Sequence, residues 1–122
     1  MGFHSFEDLR VWKKASRLAV AIYSELKTCR DRGLKDQITR SAVSVASNIA
    51  EGSERGSDKE FSRFLRIAKG SAAELLTQIY IASEVGILEA DRKKRLVGEI
   101  KQVASMIQAL ITSIGDTATK AR

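Results

Sequence analysis

Proline is absent from this 122-residue chain. Average usage near 5% would place about six in that length. Proline breaks helix interiors, so its absence points to long uninterrupted elements with short connections. Runs of alternating β-branched residues bounded by turns are missing as well, which removes the strand signal. The two absences together predict an all-helical chain. Cysteine and histidine each occur once. A single cysteine forms no internal disulfide and fits a reducing cytoplasm. One Cys and one His also exclude an ordinary zinc site and a Cys–His nucleophile pair. The lone His4 excludes the paired Glu-x-x-His motifs of a di-iron bundle, and it reads as a solvent-exposed terminal residue. Cys29 reads as a small packed residue rather than a reactive thiol.

No uncharged run approaches the roughly 20 apolar residues of a membrane-spanning helix, so no membrane partner is expected. Met1–Asp8 lacks a basic start followed by an apolar run, so no secretory signal is expected. Gly52 and Gly56 lie in a turn without the Lys-Ser/Thr ending of a phosphate-binding loop. No two carboxylates share an apolar setting of the kind acid–base catalysis needs. The sequence therefore assigns no catalytic residue, no cofactor and no metal, and it predicts a protein that is not an enzyme.

What is present is the profile of a soluble globular domain: 43% hydrophobic and 30% charged residues, with a net charge of +6. The length suits one domain over residues 1–122, large enough to bury roughly two-thirds of its unfolded surface. Four periodic segments are predicted as helices, over about 6–31, 34–54, 58–85 and 89–114, with 116–122 as a frayed tail. Ser5 is a candidate N-cap, with Glu7 and Asp8 in the first turn. Gly33 reads as a C-terminal signal. Ser57-Asp58-Lys59-Glu60 reads as a capping box, Ser57 accepting from the Glu60 amide and Glu60 reaching back. Gly86 and Gly115 close the third and fourth segments. Helices of 21–28 residues run about 32–42 Å, and four of matched length pack as an antiparallel up-down-up-down bundle.

The faces of these helices carry the functional signals. In the fourth, Leu96, Ile100, Val103, Ile107, Leu110 and Ile114 form an ordinary bundle stripe. In the first, apolar residues from Leu9 to Leu26 fill about half the circumference. That breadth points to contact beyond one bundle, such as an oligomer interface. Arg10, Lys13, Lys14 and Arg17 lie opposite, as one basic stripe. It is either a solvated face or a ridge that contacts phosphates. Arg92-Lys93-Lys94-Arg95 is the densest basic cluster, placed unfavourably near a helix start. Symmetry in a ring would multiply either patch.

The second helix is unusual. Ala42, Val45, Ala46 and Ile49 belong to its buried face. Gln37, Arg40, Ser41, Ser44, Asn48, Glu51 and Arg55 share an arc of about 100°, where Ser and Asn are poor helix formers. This arc is either a polar seam between helices or subunits, or a surface for a ligand, a nucleic acid or another protein. Ser71, Glu74 and Gln78 supply a matching stripe on the third helix. Arg40 and Glu74 are predicted to pair across the two helices, with Gln37, Ser44 and Ser71 completing the hydrogen bonds. Gly70, mid-helix at a cost of about 1 kcal/mol, predicts a close backbone approach.

Several blocks carry a resemblance. They are Phe6-Glu7-Asp8-Leu9-Arg10-Val11-Trp12, Gln37-Ile38-Thr39-Arg40-Ser41-Ala42, and Ser44-Val45-Ala46-Ser47-Asn48-Ile49-Ala50-Glu51-Gly52. Phe61-Ser62-Arg63-Phe64-Leu65 and Ala68-Lys69-Gly70-Ser71-Ala72-Ala73-Glu74-Leu75 follow. Over about residues 5–114 the chain resembles the bacterial 23S rRNA intervening-sequence proteins. The resemblance implies a left-handed up-and-down bundle that assembles as a homopentameric ring. It also implies kinship with the accessory variability protein of diversity-generating retroelements, a basic pentameric barrel that binds nucleic acid and a reverse transcriptase. The family motif falls on Gln37, Arg40, Ser44, Asn48, Glu51, Gly52, Gly70, Ser71 and Glu74. Most members have no established activity. The expected partners are other copies of the chain, RNA or DNA, and alternatively a protein docked on the second helix.

Overall fold

A computed structural model describes residues 5–120, with side chains through Gly115. His4 and the last two positions of the expected frayed tail, 121–122, lie outside the described residues. A single 3-10 turn, Phe6–Asp8, precedes four α-helices: α1 Arg10–Glu25, α2 Arg32–Ser53, α3 Asp58–Glu84 and α4 Ala90–Lys120. No strand occurs among the described residues.

The expected first helix is interrupted at both ends. Ser5 caps only the 3-10 turn, its Oγ accepting from the Glu7 amide at 3.1 Å. Leu9 is then extended, with φ −76° and ψ 123°, before α1 begins. The turn folds back so that the Phe6 ring meets the Trp12 ring edge-on at 5.0 Å. At the other end α1 stops at Glu25, and Leu26 drops into the core. Asp31 is not the end of the first helix but the N-cap of the second, its Oδ1 accepting from the Leu34 amide at 3.0 Å. A short carboxylate placed before free amides is a strong start signal. Gly33 therefore sits in the first turn of α2 rather than ending α1.

The other boundaries follow turn chemistry closely. Ser57 caps α3, accepting from the Glu60 amide at 3.2 Å. The reciprocal half of the capping box does not form, because the Glu60 carboxylate accepts from Arg63 instead. At the end of α3, Gly86 takes φ 84°. The Ile87 amide donates to Ala82 O at 2.8 Å and the Gly86 amide to Ser83 O at 3.1 Å, a Schellman closure. Helix α4 runs through Gly115 to Lys120 instead of ending at 114. A glycine costs a helix about 1 kcal/mol but stops it only where a turn follows, and the residues after Gly115 build none.

Each helix packs on its chain neighbours and α4 returns to α1, with no diagonal contact among the described residues. The arrangement is all-helical and four-sided, consistent with a four-helix bundle. The α2–α3 contact is the most extensive and α1–α4 the least. Ile22, Ile38, Ile49, Leu65, Leu75, Ile79, Leu96, Ile100 and Ile107 fill the centre, each nearly solvent-free. The α4 stripe is buried as its spacing predicts, except that Leu110 and Ile114 are only half-buried. No described helix is long and apolar enough to cross a membrane.

The close helix approach expected at Gly70 falls at Gly52 instead. A Cβ added to Gly52 would lie 2.5 Å from Phe64 Cβ and 3.3 Å from the Phe61 carbonyl oxygen. At Gly70 the same atom meets nothing within 4 Å. Gly52 faces α3 at the end where the two helices converge, whereas Gly70 lies on the outer surface of α3.

Candidate functional site

The short polar residues of α2 meet α3 as one seam. Ser44 Oγ and Ser71 Oγ lie 2.8 Å apart and share a hydrogen bond. Asn48 Nδ2 donates to Ser44 O at 2.9 Å and to Ser44 Oγ at 3.0 Å. Ser41 and Ser71 are buried. Hydroxyls there let two helices approach while satisfying each other, which explains poor helix formers on this line. Glu51 pairs with Arg55, just beyond the end of α2, at 2.7 Å.

The predicted Arg40–Glu74 pair does not form. Both side chains are exposed, and neither makes an ion pair or hydrogen bond among the described residues. Arg40 lies on the outermost line of α2, where its long side chain stays hydrated, and an exposed pair gains little. Arg40 and Glu74 instead line an open polar cleft of about 380 Å³ with Asp36, Gln37, Ser44 and Gln78. The Gln78 Oε1 atom is buried there without a hydrogen-bond partner. Arg40 also borders a second cleft, of about 440 Å³, between α1 and α2, with Tyr23, Thr39 and Val43. Asp36 is the cleft residue that sequence reading missed, because it sits beside rather than on the Gln37–Ser44 line.

Several large apolar side chains are exposed, and two of them, Tyr23 and Val43, line the α1–α2 cleft. Val20, Tyr23 and Val43 lie on the α1–α2 side, and Ile67, Ile81 and Val85 on the outer flank of α3. Helix α4 carries none among its described residues.

The two basic sets singled out in the sequence lie on α1 and α4. Arg10, Lys13 and Arg17 are exposed and make no ion pair among the described residues. Lys14 leaves the solvent-facing stripe: it is half-buried, and its Nζ donates to Gln102 Oε1 of α4 at 2.9 Å. Arg17, Glu99 and Gln102 border the same α1–α4 groove. The Arg92–Arg95 cluster divides. Arg92 and Arg95 reach Glu25 of α1 at 3.4 and 2.5 Å. Lys93 lies over the Tyr80 ring of α3 at 5.0 Å. Lys94 points outward without an ion pair among the described residues. This division relieves the repulsion of four cations in one turn. Lys14 and Arg17 thus border the α1–α4 groove, and Arg92 and Arg95 meet α1 at Glu25, about 12 Å further along the helix from Arg17 at 1.5 Å per residue. Glu25, half-buried between two guanidiniums, went unnoticed in the sequence because its partners lie almost 70 residues away.

A third cluster surrounds Phe64. The guanidiniums of Arg55 and Arg63 lie 4.8 and 4.6 Å from its ring centre. Arg63 also binds Glu60 at 2.9 Å. That hydrogen bond holds the Glu60 carboxyl below its ordinary range, and Glu60 raises Arg63 in turn. The cluster staples the end of α3 that closes on Gly52.

Fold and site define a four-helix protein whose chemistry lies on helix faces and in shallow clefts. The chain belongs to the 23S rRNA-intervening sequence protein family, which matches residues 7–109. It is also similar to a solved structure from Bacteroides thetaiotaomicron, described as a protein with unknown function from the S23 ribosomal protein family. That likeness has a TM-score of 0.78 at 22% identity, covering 83% of this chain and 97% of the other. At such identity it speaks to the fold alone. No curated protein matches the chain. The family indicates no catalytic activity.

Proposed function

We propose that this chain acts without catalysis, as an up-down-up-down, left-handed bundle that assembles into a homopentameric ring in the cytoplasm. The ring binds RNA or DNA through its basic surface. The observation that carries the reading is the placement of Lys14 and Arg17 in the α1–α4 groove and of Arg92 and Arg95 against Glu25 of α1, with Arg10 and Lys13 exposed on the same helix. Lys93 and Lys94 extend the positive field around the start of α4. Fivefold repetition of such a flank makes a continuous cationic band, and phosphate contacts release counterions on binding. Resemblance to the accessory variability proteins of diversity-generating retroelements supports the same assignment. No aromatic ring lines the α1–α4 groove among the described residues, so binding there is expected to follow charge rather than sequence.

A gel-shift series with ribosomal RNA fragments and mixed nucleic acid tests this. Shifted bands at low salt that vanish as salt rises are the predicted result. Absence of any shift at low salt overturns the proposal. Mass photometry should find particles of about 67 kDa, five copies of a 13.4 kDa chain. A protein-docking role is the second reading, favoured by the unpaired groups of the α2–α3 cleft. Its mark is one protein partner recovered equally with and without nuclease.

A further inference from the structure

Among the described residues Arg40 and Glu74 make no ion pair, and each stands beside its own exposed apolar strip. Arg40 borders the α1–α2 cleft with Tyr23 and Val43. Glu74 projects from the α3 flank that exposes Ile67 and Ile81. These four large apolar side chains, each 42–52% exposed in the single chain, form the rims of the two surfaces. Scattered apolar residues need no explanation, but two strips flanking opposite unpaired charges are complementary surfaces.

We propose that these strips dock on each other between successive copies of the chain. Arg40 of one copy and Glu74 of the next then form an ion pair that neither copy makes alone. The proposal rests on the ring assembly proposed above and identifies its contact. Apolar side chains exclude water around the pair, and a charge pair strengthens as the local dielectric falls. A contact between two different patches is head-to-tail, and it makes a ring when the patches face directions that complete a rotation. The Arg40 strip lies on the α1–α2 side of the bundle and the Glu74 strip on α3, across the cleft that both charges line. The α1–α4 flank, with its basic residues, stays outside this contact.

The test is charge reversal read by native mass spectrometry on the full chain, with circular dichroism confirming helicity. Arg40→Glu and Glu74→Arg each place like charges at every contact. Each should weaken assembly about thirty-fold or more per contact, so that monomer appears where wild type forms rings. The double variant Arg40→Glu/Glu74→Arg restores opposite charges and should restore the ring. The neutral variants Arg40→Gln and Glu74→Gln give a milder double-mutant cycle, in which the second change should cost little after the first. A pair formed inside one chain would shift the melting temperature and leave the assembled mass unchanged. Rings that survive both single reversals, or a folded double variant that stays monomeric, overturn this contact while leaving the ring standing. Wild type that is monomeric at every concentration overturns the ring itself.

Discussion

Gly52→Ala should destabilise the protein, although the same change in an exposed helix position stabilises. Inside a helix, alanine is favoured over glycine by about 1 kcal/mol. Against that gain stands the packing. The new methyl would sit 2.5 Å from Phe64 Cβ, 3.2 Å from Phe61 Cδ1 and 3.3 Å from Phe61 O. Carbon atoms in contact prefer about 3.5–4.0 Å, so α2 and α3 must separate by about 1 Å at this end. The Phe64 Cβ is tied to its backbone, and its ring is held between Arg55 and Arg63. Relief by simple side-chain rotation is therefore closed. Overpacking of this kind costs about 1–3 kcal/mol, and a clash against two helix backbones belongs near the top of that range. The net loss is about 2 kcal/mol. For a chain of this size that lowers the melting temperature by about 6–8 °C. Gly98→Ala is the control, since a Cβ there meets nothing within 4 Å. It should raise melting by about 3–4 °C. Thermal unfolding followed by circular dichroism at fixed protein concentration separates the two. A Gly52→Ala variant that melts at or above wild type refutes the close approach.

Three further outcomes follow from the same contacts. Ser44→Ala strands the buried Ser71 hydroxyl and should cost about 1–3 kcal/mol in denaturant unfolding, whereas Ser44→Ala/Ser71→Ala together should cost little more. Glu25→Gln releases Arg92 and Arg95. In anisotropy titrations it should tighten nucleic-acid binding and steepen the log–log salt slope by about one; an unchanged slope speaks against those arginines as phosphate contacts. Glu60 has a depressed folded-state pKa, so its contribution to stability is present above the ordinary Glu range and is lost as pH falls through the depressed value. Glu60→Gln should therefore lower the melting temperature slightly at neutral pH, with the difference from wild type disappearing as pH falls along the acid limb.

Much of the fold was legible because helix boundaries are written in local chemistry. Ser57 and Gly86 act where their residue types predict, through one cap amide and one left-handed turn. Local signals failed where two readings competed for one residue. Asp31 could end one helix or begin the next, and only the free Leu34 amide decides. Gly52 and Gly70 look alike in sequence, yet contact with Phe61 and Phe64 makes only the first a packing requirement. The seam was half legible. Ser44 and Ser71 are short and lie on the contact line, so matching stripes sufficed to join them. Arg40 and Glu74 sit one step further out, where side-chain length and hydration decide, and helical spacing alone does not resolve that step. The split of Arg92–Arg95 depends on Glu25 and Tyr80, which other helices bring close.

The central claim is that the α1–α4 flank binds phosphates. Its most direct test is the salt dependence of RNA affinity for the intact assembly, compared with an Arg10→Gln/Lys13→Gln/Arg17→Gln variant. Wild-type affinity should fall linearly in log–log form, and the variant should bind more weakly with a slope shallower by about two to three. No binding at low salt, or a slope the triple variant leaves unchanged, contradicts the account.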